Sequence, residues 1–226
     1  MGDASAPWRN WYHCMGNTYG TWLPGDSRGF RARHHREHVE GDYKFPPPPG
    51  VYEAWLARSR SLMPRGAVMI PAALRPLACR LFGDALLFHG VELVELSMGG
   101  IHWHLLARFV PVGVDPHAHL TARGIKLTHA PRHGRPPAPA GRTPSRWSAY
   151  DLDPAPRRIL GLAKSFVSRQ LKDQGHFTSH RGGIWAVRAQ CVPIANRPHQ
   201  LAVAAYIRCH AEQGSAMWTR RVEPEK

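Results

Sequence analysis

The chain has 226 residues, of which 43% are apolar, enough for one cored domain with insertions and too many for wholesale disorder. Thirty Lys and Arg against sixteen Asp and Glu give a net charge of +14, so a polyanion, nucleic acid first, is the expected partner. Cys14, Cys79, Cys191 and Cys209 form no CxxC pair, which argues against a zinc knuckle or disulfide framework; no apolar run would span a bilayer, residues 1 to 7 show no secretory pattern, and a cytoplasmic site of action is expected.

Residues 11 to 23, rich in aromatic and β-compatible side chains, read as a strand that Pro24-Gly25-Asp26 ends in a turn. A polar insertion follows to about residue 65, broken by Pro46-Pro47-Pro48-Pro49-Gly50. It contains His34-His35-Arg36-Glu37-His38, read here as solvated histidines in a charged run. Residues 71 to 89 have helical spacing, with Leu74, Leu77, Ala78, Leu81, Ala85 and Phe88 as the apolar stripe and Gly90 at the end. Pro76 is tolerated only in the first turn, which puts the start near Arg75. Two strand-like runs come next, Val91 to Leu96 and Gly100 to Phe109, separated by Gly99-Gly100, the pattern of a tight hairpin.

From Pro111 to Pro156 periodicity is lost. Prolines recur, and Arg123, Lys126, Arg132, Arg135, Arg142 and Arg146 occur with no acid between Asp115 and Asp151, which reads as a long basic loop. His117 and His119 lie in it without an apolar strand around them and read as surface histidines. A helix is expected from Arg157 to Asp173, with Ile159, Leu162, Ala163, Phe166, Val167 and Leu171 inside. Its polar side carries Arg158, Lys164, Arg169 and Lys172, suited to phosphates or equally to an ordinary solvated face. Gly182-Gly183 opens a strand over residues 184 to 192, and Arg197-Pro198 starts a last helix that runs to about Gln213 and stops at Gly214. Strand, helix, strand, strand in that order predicts an antiparallel sheet backed by helices, not a doubly wound parallel one.

Two of these elements carry chemistry. Side chains alternate along a strand, so His102 and His104 share one face about 7 Å apart while Ile101, Trp103 and Leu105 take the other. If helices cover Trp103, the opposite face offers two imidazoles and Arg108. On the last helix Tyr206 and His210 are four apart and project from one side. A phenol beside a third metal ligand is what transfer of a phosphodiester through a covalent enzyme–DNA link requires.

Together these motifs resemble the HUH-type single-tyrosine transposases, including the REP-associated tyrosine transposases, which process DNA as single strands. His102-Trp103-His104 matches the family's His-hydrophobe-His motif. Tyr206-Ile207 followed by His210 matches its late-helix Tyr-Ile with a polar ligand at i+4, often Gln or Asn in relatives; Gln213 is an alternative ligand here. The resemblance covers residues 11 to 23, 71 to 109 and 158 to 218 and leaves out the two Pro-rich insertions, about 24 to 65 and 111 to 156. It implies one α+β domain with a ferredoxin-like or RRM-like antiparallel sheet. It implies Mg²⁺ or Mn²⁺ on His102, His104 and His210, Tyr206 as nucleophile, a 5′-phosphotyrosine intermediate, hairpin-forming single-stranded DNA as substrate, and a homodimer. Lys164, Arg169 and Lys172, with Arg108 and the loop residues Arg123, Lys126, Arg132 and Arg135, are the expected DNA contacts.

Three other readings compete, of which a barrel-type metal hydrolase with a His-x-His strand fits poorly, since strands are too few and no strand end bears a carboxylate. A non-catalytic RRM-like binder would display stacking aromatics on an open sheet face. A relaxase or replication initiator shares the histidine chemistry but usually places its tyrosine elsewhere in the chain.

Overall fold

In the computed structural model, residues 8–27, 48, 50–109 and 156–219 are described. Among them are five strands and four α-helices: β1 (Trp11–Thr18), α1 (Glu53–Ser61), α2 (Arg75–Phe88), β2 (Glu92–Met98), β3 (His102–Arg108), α3 (Pro156–Asp173), β4 (Trp185–Pro193), α4 (Arg197–Cys209) and β5 (Ala216–Thr219). The strands form one sheet in the order β4-β1-β3-β2-β5, with every neighbouring pair antiparallel. The fold is α+β, an antiparallel sheet backed by helices as the order of elements predicts, and ferredoxin-like or RRM-like as the resemblance implies.

Alternation on the two central strands divides the sheet into two faces. Trp103, Leu105 and Ala107 of β3 lie with Cys14 of β1 and Leu93, Leu96 and Met98 of β2 in the main core, which α2 and α3 complete through Phe82, Leu86, Leu160 and Val167. Trp103 is fully buried against Phe82, ring centroids 5.1 Å apart, and truncating it would cost about 3–5 kcal/mol. Gly16 makes room for it: a Cβ there would stand 2.6 Å from Cζ2 of Trp103. On the other face a smaller cluster, Leu106, Ile194, Val203, Ala204 and Ile207, seats α4.

The hairpin forms as expected: the Gly99 N–H donates to the His102 carbonyl at 2.8 Å, so Gly100 and Ile101 occupy its tip. Other expectations need correction. β1 stops at Thr18, not Leu23, because the chain turns through Gly20 at φ 72° and the Thr21 hydroxyl donates to the Thr18 carbonyl at 2.9 Å. The insertion before residue 65 contains a surface helix, α1, with no buried residue. In α2 the buried face is rotated toward Cys79, Phe82, Leu86 and Leu87; Ala78 and Ala85 belong to it, while Leu74, Leu77 and Leu81 are only partly buried. Residues 216 to 219 form β5, which pairs along β2.

The largest correction concerns α3. Its buried stripe is Leu160, Ala163, Lys164, Val167, Ser168 and Leu171, whereas Leu162 is 47% exposed. The spacing is helical, but two positions are polar because they fasten β4. Lys164 Nζ donates to the carbonyls of Ala186 (2.6 Å) and Val187 (3.0 Å). The Ile184 N–H donates to Ser168 Oγ at 3.4 Å, and Trp185 Nε1–H donates to the Lys164 carbonyl at 2.9 Å. A polar residue whose partners lie on another strand carries no apolar signal in sequence.

Candidate metal centre and nucleophile

The face of β3 opposite Trp103 carries His102, His104, Leu106 and Arg108. In register beside them stand Asn17, Met15, His13 and Trp11 of β1, and Ser97 faces His104 from β2. α4 lies across this face. Asn196 caps it by accepting the His199 N–H at 2.9 Å, Pro198 sits in its first turn, and Val203 and Ile207 anchor it on Leu106. Arg208 clamps the far end, its guanidinium bonded to the buried carboxylate of Glu95 on β2, Nε to Oε1 at 2.8 Å. Anchored in this way, the helix presents Tyr206 and, at its C-terminal boundary, His210 to the histidines of β3.

His102, His104 and His210 form a cluster in which each offers a ligand nitrogen, and these nitrogens lie within 4.8 Å of one another. Ring centroids are 4.6 Å apart for His104 and His210, 5.4 Å for His102 and His104, and 5.2 Å for His102 and His210. His104 and His210 are buried; His102 is half-buried. The Nδ1 of His210 lies 3.3 Å from Oε1 of Gln213, an oxygen that can only accept, so the ring proton belongs on Nδ1. Its Nε2 is left buried and without a hydrogen-bond partner. A buried lone pair of that kind costs about 1–3 kcal/mol unless something else takes it. Gln213 thus stands behind His210, and the converging donors are the three imidazoles.

Electrostatics agree with a ligand role. Burial first, then the neighbouring His210, His13 and His102, pushes His104 down to about 2. Burial, helped by His199 and His210, lowers His13 to about 4. Both are therefore neutral near pH 7, the form in which imidazole binds a cation. Three converging imidazole nitrogens, two of them on buried rings, fit a divalent cation. Of the two expected ions, Mn²⁺ accepts nitrogen donors more readily than the oxygen-seeking Mg²⁺.

Tyr206 completes the site. Its ring is edge-on to His210 at 4.9 Å and to His104 at 5.4 Å between centroids, and it is 48% exposed. Two of the other tyrosines are committed elsewhere: Tyr12 packs on Phe109, and Tyr19 lies under the Arg65 guanidinium, 3.9 Å from its carbon. Tyr43 and Tyr150 fall outside the described residues.

No family model, curated protein or solved structure matches the chain.

The expected DNA contacts divide. Arg108 lies at the end of β3 on the histidine face and is partly exposed. Lys164, Arg169 and Lys172 belong to α3, across the sheet from α4. Lys164 is buried in its β4 clamp, and Lys172 Nζ donates to the carbonyls of His180 (2.8 Å) and Gly182 (2.7 Å). Arg169 is exposed there. The fold does not bring these three to the histidines. Arg123, Lys126, Arg132 and Arg135 lie outside the described residues, as do the histidines at 34, 35 and 38 and at 117 and 119.

One residue of the site was not anticipated. His13 of β1 is buried, with Nε2 3.2 Å from Nδ1 of His104, and its ring centroid is 6.0 Å from that of Tyr206. The signal was present: alternation puts Trp11, His13 and Met15 on one face of β1, and an imidazole amid apolar strand residues requires a partner.

Proposed function

We propose that this protein is a metal-dependent single-strand DNA endonuclease and strand transferase of the HUH single-tyrosine transposase type. The observation that carries the reading is the meeting of Tyr206 with His102, His104 and His210 on one face, within one chain, from segments about a hundred residues apart. The excess of positive charge supports a polyanionic substrate.

His102, His104 and His210 would hold the cation through ring nitrogens. When bound, it would withdraw charge from the scissile phosphate and orient it for in-line displacement. Tyr206 Oη attacks phosphorus, the P–O3′ bond breaks, and the phenol proton ends on the departing 3′ oxygen. The product is a 5′-phosphotyrosine and a free 3′-OH. The reverse attack, by another 3′-OH on the phosphotyrosine, rejoins strands and returns the proton to Tyr206. Bond energy is conserved, so no nucleotide is consumed. Partial exposure of Tyr206 suits a nucleophile that must meet a polymer, and α4 holds its ring against both ligands. The homodimer, the hairpin form of the DNA and a cytoplasmic site of action belong to this proposal. No helix among the described residues is long and apolar enough to cross a membrane.

The RRM-like binding alternative draws no support from the central sheet. Ile207 and Leu106 seal the face it would use, and both are fully buried. The relaxase-type alternative is less well supported, because the tyrosine here lies on the helix after the last long strand.

The test is covalent capture. Incubated with Mn²⁺ and labelled single-stranded hairpin DNA from around its own gene, the protein should give an adduct that survives denaturation. Tyr206→Phe removes one oxygen, keeps the ring volume, and should bind that DNA while forming no adduct. An adduct of wild-type yield in Tyr206→Phe, or undiminished cleavage in excess chelator, would overturn the proposal.

A further inference from the structure

We infer that His13 is a positioning residue of this centre, holding His104 in the tautomer that turns a bare Nε2 toward the ion. The inference rests on the metal-centre reading and adds to it a residue from a third segment of the chain.

The geometry is direct. β1 and β3 pair so that His13 stands opposite Leu106 and Met15 opposite His104, all on the histidine face. From there the His13 ring leans toward His104, with centroids 5.4 Å apart, planes 31° apart, and Nε2 3.2 Å from Nδ1. Two neutral imidazoles have one N–H each, so this bond has two forms. In one, His13 donates and His104 Nδ1 accepts; His104 then keeps its proton on Nε2 and cannot ligate through that atom. In the other, His104 Nδ1–H donates to His13 Nε2, and the lone pair on Nε2 of His104 is bare. Only the second is compatible with a cation held between His104 and His210. His210 shows the same device, with Gln213 accepting from Nδ1 and Nε2 left without a hydrogen-bond partner. Two ligands are thus backed by acceptors that select the tautomer and the ring angle, the usual task of groups behind a metal-bound histidine.

The surroundings argue against simple filling. Beside His13 in register is Leu106, and Val203 and Ile207 of α4 share that cluster, so an aliphatic side chain would pack there without a buried polar ring. His13 is also edge-on to the Tyr206 ring, at 70°. One imidazole therefore touches both His104 and the tyrosine ring.

The test uses the full-length protein and Mn²⁺ alone, read by titration calorimetry or by loss of the free-Mn²⁺ resonance. His13→Gln places an amide oxygen near the position of Nε2 and keeps the acceptor; His13→Phe keeps ring volume and removes it. We expect His13→Phe to bind Mn²⁺ about 10–100-fold more weakly and His13→Gln to stay within a few-fold of wild type. In metal-free protein, long-range proton–nitrogen correlations should place the His104 proton on Nδ1 in wild type and His13→Gln. In His13→Phe it should shift toward Nε2. Equal affinity in all three proteins, equal losses in both variants, or a wild-type His104 protonated on Nε2 would overturn the role. His104→Ala is the control for the centre itself. If wild type binds Mn²⁺ no better than His104→Ala, the metal reading fails and the His13 role with it; if only that control loses binding, the metal reading stands and the His13 role alone is refuted.

Discussion

Burying neutral histidines makes the metal-free fold sensitive to mild acid. His104 and His13 are lowered to about 2 and about 4, chiefly by burial, whereas in the unfolded chain both titrate near the ordinary value of 6.5. Above pH 6.5 neither state binds protons at these sites, and their contribution to stability is fully present. As pH falls below 6.5 the unfolded chain takes up protons that the folded one refuses, so stability is lost progressively toward the folded values. Between pH 7 and pH 5 the linkage relation gives a loss of about 2 kcal/mol for each histidine, or about 4 kcal/mol for the pair as a ceiling. That is a large share of the ~5–15 kcal/mol by which domains are stable. The assay is urea denaturation in excess chelator at pH 7, 6 and 5, followed by tryptophan fluorescence, since Trp103 is fully buried beneath this site. His104→Leu should unfold with a visibly smaller acid loss, by about 2 kcal/mol, because one of the two linkages is gone. Mn²⁺ at a hundredfold excess over its dissociation constant should add about 2.7 kcal/mol at pH 7. A wild-type stability that is the same at pH 7 and pH 5, or an acid loss unchanged in His104→Leu, would refute the reasoning.

Lys164→Ala should destabilise the fold by about 2–3 kcal/mol, because the Ala186 and Val187 carbonyls lose a charged donor and a buried stem is removed. DNA affinity of the folded fraction and its salt dependence should not change; a flattened salt slope would restore Lys164 as a phosphate contact. Neutralising Arg123, Lys126, Arg132 and Arg135 should weaken binding to all single-stranded sequences alike, and each lost phosphate contact should lower the slope of log K against log salt by about 0.7. An unchanged slope would make the segment a solvated linker. Gly16→Ala should cost about 1–3 kcal/mol through the clash with Trp103, seen as a lower urea midpoint. A neutral result there would mean that the ring has room to move.

What could be read from the chain alone was what depends on near neighbours. Alternation along His102-Trp103-His104 decides that two imidazoles share a face and that the indole takes the other, whatever the partners are. A four-residue step on a helix puts Tyr206 above His210 for the same reason, and Gly99-Gly100 marks the hairpin, though its tip is Gly100-Ile101, one residue further on. The fold class followed from the order of these local units. Tertiary structure decided what depends on residues far apart in sequence. Nothing local shows that α4 would cover the histidine face and α2 and α3 the other, yet that choice delivers Tyr206 to the imidazoles and removes Arg169 from them. Nor does composition show that Lys164 turns inward, since its partners are carbonyls more than twenty residues on. His13 reaches His104 only through the β1–β3 register, which brings together residues 91 positions apart in the chain. Periodicity reports which side of an element is apolar; which element that side meets is settled by packing the whole core at once.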